Sequence, residues 1–220
     1  MAASLAGRRI VLTGSSGRLG RVLHPLLTQA GARVLGIDAA AGESTDLQAQ
    51  LTVESEVEAV MDEAVRRLGG IDALIHVVGT WDARPLHTTT LGQWQQQVDV
   101  NLTSTFLCFR EALRHMRAAG SGGRLVAVSA RSGIGRGPAG QAPYAAAKAG
   151  VARLVESLTE EYAAAGITAA AVAPSTILFG DETAGTAGAA AADIARLCVH
   201  LAGDGGGQHA GCVIPLYGNG

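Results

Sequence analysis

The chain has 220 residues, 48% of them apolar and 16% charged, with 17 Lys+Arg set against 19 Asp+Glu for a net charge of −2 at pH 7. Such a composition excludes a disordered chain, and charges scattered without a basic stripe argue against nucleic acid as a partner. No run of about 18 apolar residues is present, so no membrane span is expected.

Arg8 and Arg9 lead straight into an apolar strand expected over residues 9–13, so no secretory leader is expected. A Gly-rich turn follows over 14–20, then a helix over 21–30 stopped by Gly31, and a second strand over 33–37 closed by Asp38. The spacing of Val57, Val60, Met61, Ala64 and Val65 predicts a helix over 53–68 that ends at Gly69-Gly70, ahead of a third strand over 72–78. Further on come a helix over 102–116, a strand over 124–129, a long helix over 144–165 and a strand over 167–173 that ends at Pro174. The Ala/Gly-rich stretch 184–192 reads as a loop or lid, and a last helix over 191–201 precedes a strand over 212–216. Helices alternating with continuous apolar strands predict an α/β architecture, a parallel sheet between two helical layers, as one domain over residues 1–220. Aromatic residues are only 4% while glycines number 30, so the core has to be built from small and branched aliphatic side chains with closely approaching backbones. Cys108, Cys198 and Cys212, odd in number and widely spaced, suggest reduced thiols in a cytoplasmic protein, with no disulfide frame and no metal site.

The turn Thr13-Gly14-Ser15-Ser16-Gly17-Arg18-Leu19-Gly20 joins the first strand to the first helix. Glycines there let the chain turn sharply and bring N–H groups up to a pyrophosphate, with the positive helix N-terminus behind them; any Gly-rich strand-to-helix turn looks similar. Asp38 stands 18 residues past Gly20, where a carboxylate would bond an adenosine ribose and repel a 2′-phosphate. Asp46 could meet an adenine amino group or be a solvated turn residue, and Arg18 could reach a 2′-phosphate or lie free on the surface.

Tyr144-Ala145-Ala146-Ala147-Lys148 is the sharpest pattern. Residues at i and i+4 share a helical face, and an ammonium beside a phenol favours the phenolate, moving tyrosine towards the range of a general acid/base. Sixteen of the 17 basic residues are arginine, so the single lysine falls where a compact point charge, and no planar fork, is needed.

Taken together, the Gly-rich turn, Asp38, Asp46, Asn101 in Val100-Asn101-Leu102, the Tyr144/Lys148 pair and Pro174 make the chain resemble the short-chain dehydrogenase/reductase family, in the family's order from Arg9 to Gly218. The resemblance implies a three-layer Rossmann-type fold with a seven-stranded parallel sheet of order 3-2-1-4-5-6-7. It implies hydride exchange between a nicotinamide cofactor and a small carbonyl or alcohol substrate. Tyr144 would then be the general acid/base, Lys148 would hold the nicotinamide ribose and tune Tyr144, and Asn101 would kink its helix and anchor a relay water. Gly14, Ser16, Gly17, Arg18, Leu19 and Gly20 would line the pyrophosphate. Asp38 would take the adenine ribose, Asp46 and Leu47 the adenine, Gly79 the adenosine side, and Pro174 and Ile177 the nicotinamide. NAD(H) is the preferred cofactor on this reading, with NADP(H) possible. The helices over 102–116 and 144–165 would pair across two-fold axes into a homodimer or homotetramer.

Several positions depart from the family's pattern. The glycines are spaced T-G-x-x-G-x-x-G, so Arg18 stands where the common form has its second glycine; His76-Val77-Val78-Gly79 replaces N-N-A-G, and Pro174-Ser175 replaces P-G. Only seven residues separate Asp38 from Asp46, too few for the usual helix. Counting back 13 from Tyr144 puts the family's serine at Arg131, and aligning on Gly133 puts it at Ala130; Ser129 and Ser132 flank both, and Ser129, at the strand end, is the candidate catalytic hydroxyl. The short second unit, Ala130 and Trp81 also resemble the dihydropteridine reductase branch, where a tyrosine–lysine pair suffices. His76 on an apolar strand reads as a core histidine. The altered serine region and short lid leave open an alternative, a nucleotide-binding regulator or scaffold without turnover.

Overall fold

A computed structural model describes residues 5–219. The described residues form nine strands and seven α-helices. The first half runs β1 (Arg9–Thr13), α1 (Arg18–Gln29), β2 (Arg33–Asp38), β3 (Leu47–Gln48), α2 (Glu54–Leu68), β4 (Ala73–His76), α3 (Leu91–Val98) and α4 (Ser104–Ala119). The second half runs β5 (Gly123–Val128), α5 (Arg131–Ile134), α6 (Ala142–Tyr162), β6 (Ile167–Pro174), β7 (Ile177–Leu178), β8 (Ala189–Ala190), α7 (Ala191–Ala202) and β9 (Val213–Leu216). Seven strands form one parallel sheet in the order β3-β2-β1-β4-β5-β6-β9, while β7 and β8 pair separately. The expected three-layer Rossmann-type fold is therefore present. The seventh main-sheet strand carries the number nine only because the small β7–β8 ribbon precedes it.

Strand alternation sorts the core into two layers. Val11, Leu35, Leu74, Leu125 and Ala169 face α2, α4 and α6, whereas Ile10, Leu12, Ile75, Val126 and Ala170 face α1 and α7. Phe109 is the one aromatic in the buried core among the described residues. No helix is long and apolar enough to cross a membrane among the described residues.

Several boundaries differ from the sequence expectation. The first helix starts at Arg18, inside the Gly-rich turn, with Gly17 as its N-cap. The helix expected over 102–116 begins at Ser104 and is reached through a π-turn over Asp99–Thr103, and α3 precedes it. The segment 184–192 holds β8 and the start of α7 as well as loop. Between β2 and β3 there is no helix. The chain instead folds back so closely that a Cβ on Gly36 would run into the Ser44 carbonyl oxygen and stand 2.9 Å from the Ser15 side chain.

That close approach makes Gly36 a fold-determining position although no ligand need touch it. A Gly36→Ala change overpacks backbone against backbone, which typically costs about 1–3 kcal/mol. At roughly 2–4 °C per kcal/mol for a chain of this size, a fall in Tm of several degrees is expected in a thermal melt. An unchanged Tm would show that the 39–46 loop moves away freely.

Candidate active site

The C-terminal ends of β1, β2, β4, β5 and β6 bring most of the predicted site residues to one edge of the sheet. Gly14, at φ 82°, takes the turn after β1 in a conformation that L side chains rarely adopt, and a Cβ there would lie 3.0 Å from the Val78 nitrogen. A Cβ on Gly20 would collide with the Gly14 carbonyl oxygen, so α1 can lie against the turn only as glycine at that position. The first turn of α1 has neither a side-chain cap nor an acidic residue. Its N-terminal N–H groups and positive dipole end thus suit a diphosphate. Leu19, by contrast, is a buried core residue on α1.

The charged groups Asp38, Asp46 and Arg18 around this turn all have partners. The Asp38 carboxylate accepts the Ser16 N–H at 2.9 Å, and the Ser16 and Thr45 hydroxyls are hydrogen-bonded. Asp46 accepts the Gly36 N–H at 2.7 Å, and its own N–H donates to the Gly36 carbonyl, so it fastens β3 to β2. Leu47, the first residue of β3, packs half-buried on the core. Arg18 donates to both carboxylate oxygens of Asp181, at 2.5 and 2.7 Å, and lies over the Phe179 ring at 4.0 Å. This ties the segment after β7 down onto the start of α1.

The deepest part of the site surrounds Lys148, which is 4% exposed. Its ammonium donates to the Val128 carbonyl at 2.8 Å, and the Ser129 hydroxyl donates to the Lys148 carbonyl at 2.8 Å, lacing α6 to the end of β5. A Cβ on Gly79 would lie 3.0 Å from Asn101 Oδ1 and 3.3 Å from Lys148 Nζ, so the loop after β4 passes directly over both. Asn101 sits in the π-turn, fully buried; its Oδ1 accepts the Thr80 N–H and its Nδ2 donates to the Thr80 and Gln97 carbonyls. Pro174 ends β6 and Ile177 opens β7, half-buried.

Tyr144 lies one helical turn before Lys148, half-buried, with the ammonium 5.9 Å from its ring centroid. Burial pushes its phenol up to about 12 and the Lys148 ammonium down to about 8. The lowered phenol expected from the sequence is thus not what the protein alone produces, because the ammonium is bonded to Val128 and burial dominates.

Ser129 is 1% exposed, and its hydroxyl donates into α6, to the Lys148 carbonyl. Ala130, 6% exposed, caps α5, and Ser132 lies half-buried within it. His76 is buried between Thr13 and Ser104. Because the Ser104 hydroxyl donates to the Val100 carbonyl at 2.7 Å, Nε2 carries the histidine proton and Nδ1 accepts from Thr13. Burial, aided by the charge of Lys148, drives His76 down to about 3, so it stays neutral. Trp81, 61% exposed, stands on the loop beyond Gly79. What the sequence reading missed is α3, though Thr90 and Gln93 spell a capping box that both hydrogen bonds complete. Two surface cavities, of about 510 and 530 Å³, lie along α4 and at the opposite edge of the sheet, away from Tyr144 and Lys148.

Comparison with known proteins converges on one group. A family model described as short chain dehydrogenase matches residues 8–186. The cis-4-hydroxycyclohexanecarboxylate dehydrogenase of Sinomonas cyclohexanicum is 36% identical over 188 residues, 79% of this chain and 75% of that protein. The 3-oxoacyl-[acyl-carrier-protein] reductase FabG of Vibrio cholerae is 31% identical over 182 residues, 78% of this chain and 74% of its own length. A short-chain type dehydrogenase/reductase from Mycobacterium marinum superposes with a TM-score of 0.86, covering 97% of this chain and 94% of that one; at 23% identity it speaks for the fold alone.

A lysine held near 8 inside the fold and at 10.5 outside it penalises folding while it is charged, by roughly 3 kcal/mol. The native state releases this proton before the unfolded state does, so the penalty is full below pH 8 and relieved as pH rises towards 10.5. Lys148→Met is therefore expected to raise unfolding stability at pH 7, and the gain should shrink by roughly 2 kcal/mol by pH 9.5. Urea titrations at the two pH values measure this; a loss of stability at pH 7 would contradict it.

Proposed function

The chain belongs to the short-chain dehydrogenase/reductase family, and on that premise we propose that it is an NAD(P)-dependent oxidoreductase interconverting a small carbonyl and the corresponding alcohol. The observation that carries the reading is the buried Lys148 ammonium on the same helical face as Tyr144, beneath the loop at Gly79. A group buried this deeply at a stability penalty is retained for chemistry. The uncapped start of α1, the turn at Gly14 to Gly20 and the room left by Gly79 fit a dinucleotide. A bound nicotinamide supplies or accepts the hydride.

In the reducing direction the Tyr144 hydroxyl gives its proton to the substrate oxygen, and the nearby ammonium stabilises the phenolate left behind. In the oxidising direction the phenolate takes the alcohol proton back. Lys148, near 8, is still largely protonated at neutral pH and so can serve. Asn101 holds the loop at Thr80 over this pair, and the Ser129 hydroxyl holds α6 in place. The named relatives support alcohol and oxo-group chemistry, since each is a dehydrogenase or reductase, and none supports the non-catalytic alternative.

Asp38, with its carboxylate at the turn, favours NAD(H), because a 2′-phosphate would be repelled there; Arg18, already paired with Asp181, is less free to attract one. The proposal includes a cytoplasmic setting, supported by three cysteines without a disulfide. It also includes a homodimer or homotetramer through α4 and α6, supported by Phe106, 45% exposed on α4.

Tyr144→Phe is expected to lower kcat by about 10²–10⁴ while the dissociation constant for NADH stays within about threefold. Calorimetry that detects neither NADH nor NADPH binding to the wild type defeats the reading. Asp38→Ala should cut the preference for NADH over NADPH by about tenfold, read from the ratio of kcat/KM values; an unchanged ratio removes Asp38 from the cofactor choice.

A further inference from the structure

We propose that Arg131 sets substrate specificity by pairing with an anionic group on the substrate, a carboxylate being the simplest. The inference rests on the oxidoreductase reading and adds to it the charge of the molecule turned over.

Arg131 leaves the end of β5 as the first residue of α5. Two residues of that strand end are tied to the reactive helix, Val128 through the Lys148 ammonium and Ser129 through the Lys148 carbonyl. α5 itself is seated on α6, since a Cβ on Gly133 would stand 2.6 Å from the Lys148 carbonyl carbon. Arg131 therefore projects from a short element held to Lys148 by the two residues before its N-cap, Ala130, and by Gly133 within it.

Its guanidinium lies 4.9 Å from the Tyr217 ring centroid, just beyond β9. The Tyr217 carbonyl in turn accepts the hydroxyl of Ser175, the residue after Pro174. The cation thus sits by the residues that follow β5, β6 and β9, the end of the sheet at which Pro174 and Ile177 also lie. A guanidinium resting on an aromatic face keeps its N–H fork pre-oriented for a carboxylate, which it meets with two parallel hydrogen bonds.

Charge balance points the same way. Arg84, whose backbone bonds the loop before Tyr144, is neutralised by Asp82, and Arg18 by Asp181. Arg131, exposed, has no carboxylate within ion-pair distance among the described residues. Of the two positions to which the family's serine aligns, this chain has apolar Ala130 at one and the cation Arg131 at the other. A neutral substrate would leave that cation without a use at the site; an oxo acid or hydroxy acid would engage it.

The test compares 4-oxopentanoate, 5-oxohexanoate and 3-oxocyclohexanecarboxylate with their carboxamides, using full-length protein and NADH or NADPH. The acid is expected to exceed its amide in kcat/KM by about tenfold or more for at least one pair. Arg131→Gln should bring that ratio to within about threefold of one, chiefly through the KM of the acid. Arg131→Lys should restore part of it, and Arg136→Gln, at an exposed residue of the segment after α5, should leave the ratio as it is. A wild-type ratio near one, or an Arg131→Gln variant that slows acid and amide alike, overturns the proposal. Turnover of neutral carbonyls alone, still dependent on Tyr144, overturns it while the oxidoreductase reading stands. If nothing is turned over, calorimetric binding of the acids to the protein–NADH complex decides: binding lost by tenfold in Arg131→Gln supports the role of Arg131, and binding equal in both proteins, or none, overturns it.

Discussion

The constraint on which the rest of the site depends is the burial of one ammonium. Lys148 is 4% exposed and is satisfied by a single carbonyl, that of Val128, at 2.8 Å. Keeping a charge there requires the end of β5, the start of α6 and the loop after β4 to close around it at once. The Ser129 hydroxyl on the Lys148 carbonyl, the missing side chains of Gly79 and Gly133, and the four hydrogen bonds of Asn101 all serve that closure. The π-turn over Asp99–Thr103 is where the helix yields so that Asn101 can reach the loop. Even His76 is affected, since the ammonium helps to keep it neutral within its pair of hydroxyl partners.

A second constraint is spatial. Few aromatic residues and 30 glycines leave a core that gains its burial from close approach of backbones. The loss of a helix between β2 and β3 is accommodated in this way: the loop lies on Gly36, Asp46 fastens β3 to β2, and Thr45 binds the Ser16 hydroxyl. The same shortened loop braces the phosphate-sized turn from the side that a helix would otherwise occupy.

Six of the seven main-sheet strands were legible as apolar runs, because a strand covered on both faces needs continuous hydrophobicity. The seventh, Leu47–Gln48, is two residues long and is defined by Asp46 and its partner Gly36, a tertiary arrangement with no periodicity to read. Helix α6 was legible from its length and from the Tyr144/Lys148 spacing, whereas α3, with three glutamines in a row, gave little apolar contrast and only the Thr90/Gln93 cap to mark it. At the site, residue types were legible but the direction of side chains was not. Ser129 could be placed at a strand end, yet whether its hydroxyl faced a substrate or Lys148 depended on where α6 packs. The phenol of Tyr144 shows the same limit, since an i, i+4 spacing specifies a shared face but not whether the ammonium bonds the ring's hydroxyl or a strand carbonyl.

Arg18 brings these threads to the mouth of the site. A glycine at that place would leave the start of α1 bare; an arginine carries a side chain that reaches Asp181 and Phe179 and closes the segment after β7 onto α1. The local charges are then Asp38, Asp181 and Glu182 against one guanidinium. The same exposed pair contributes little to stability. Its consequence is positional: it joins the segment after β7 to the start of α1, beside the Gly-rich turn.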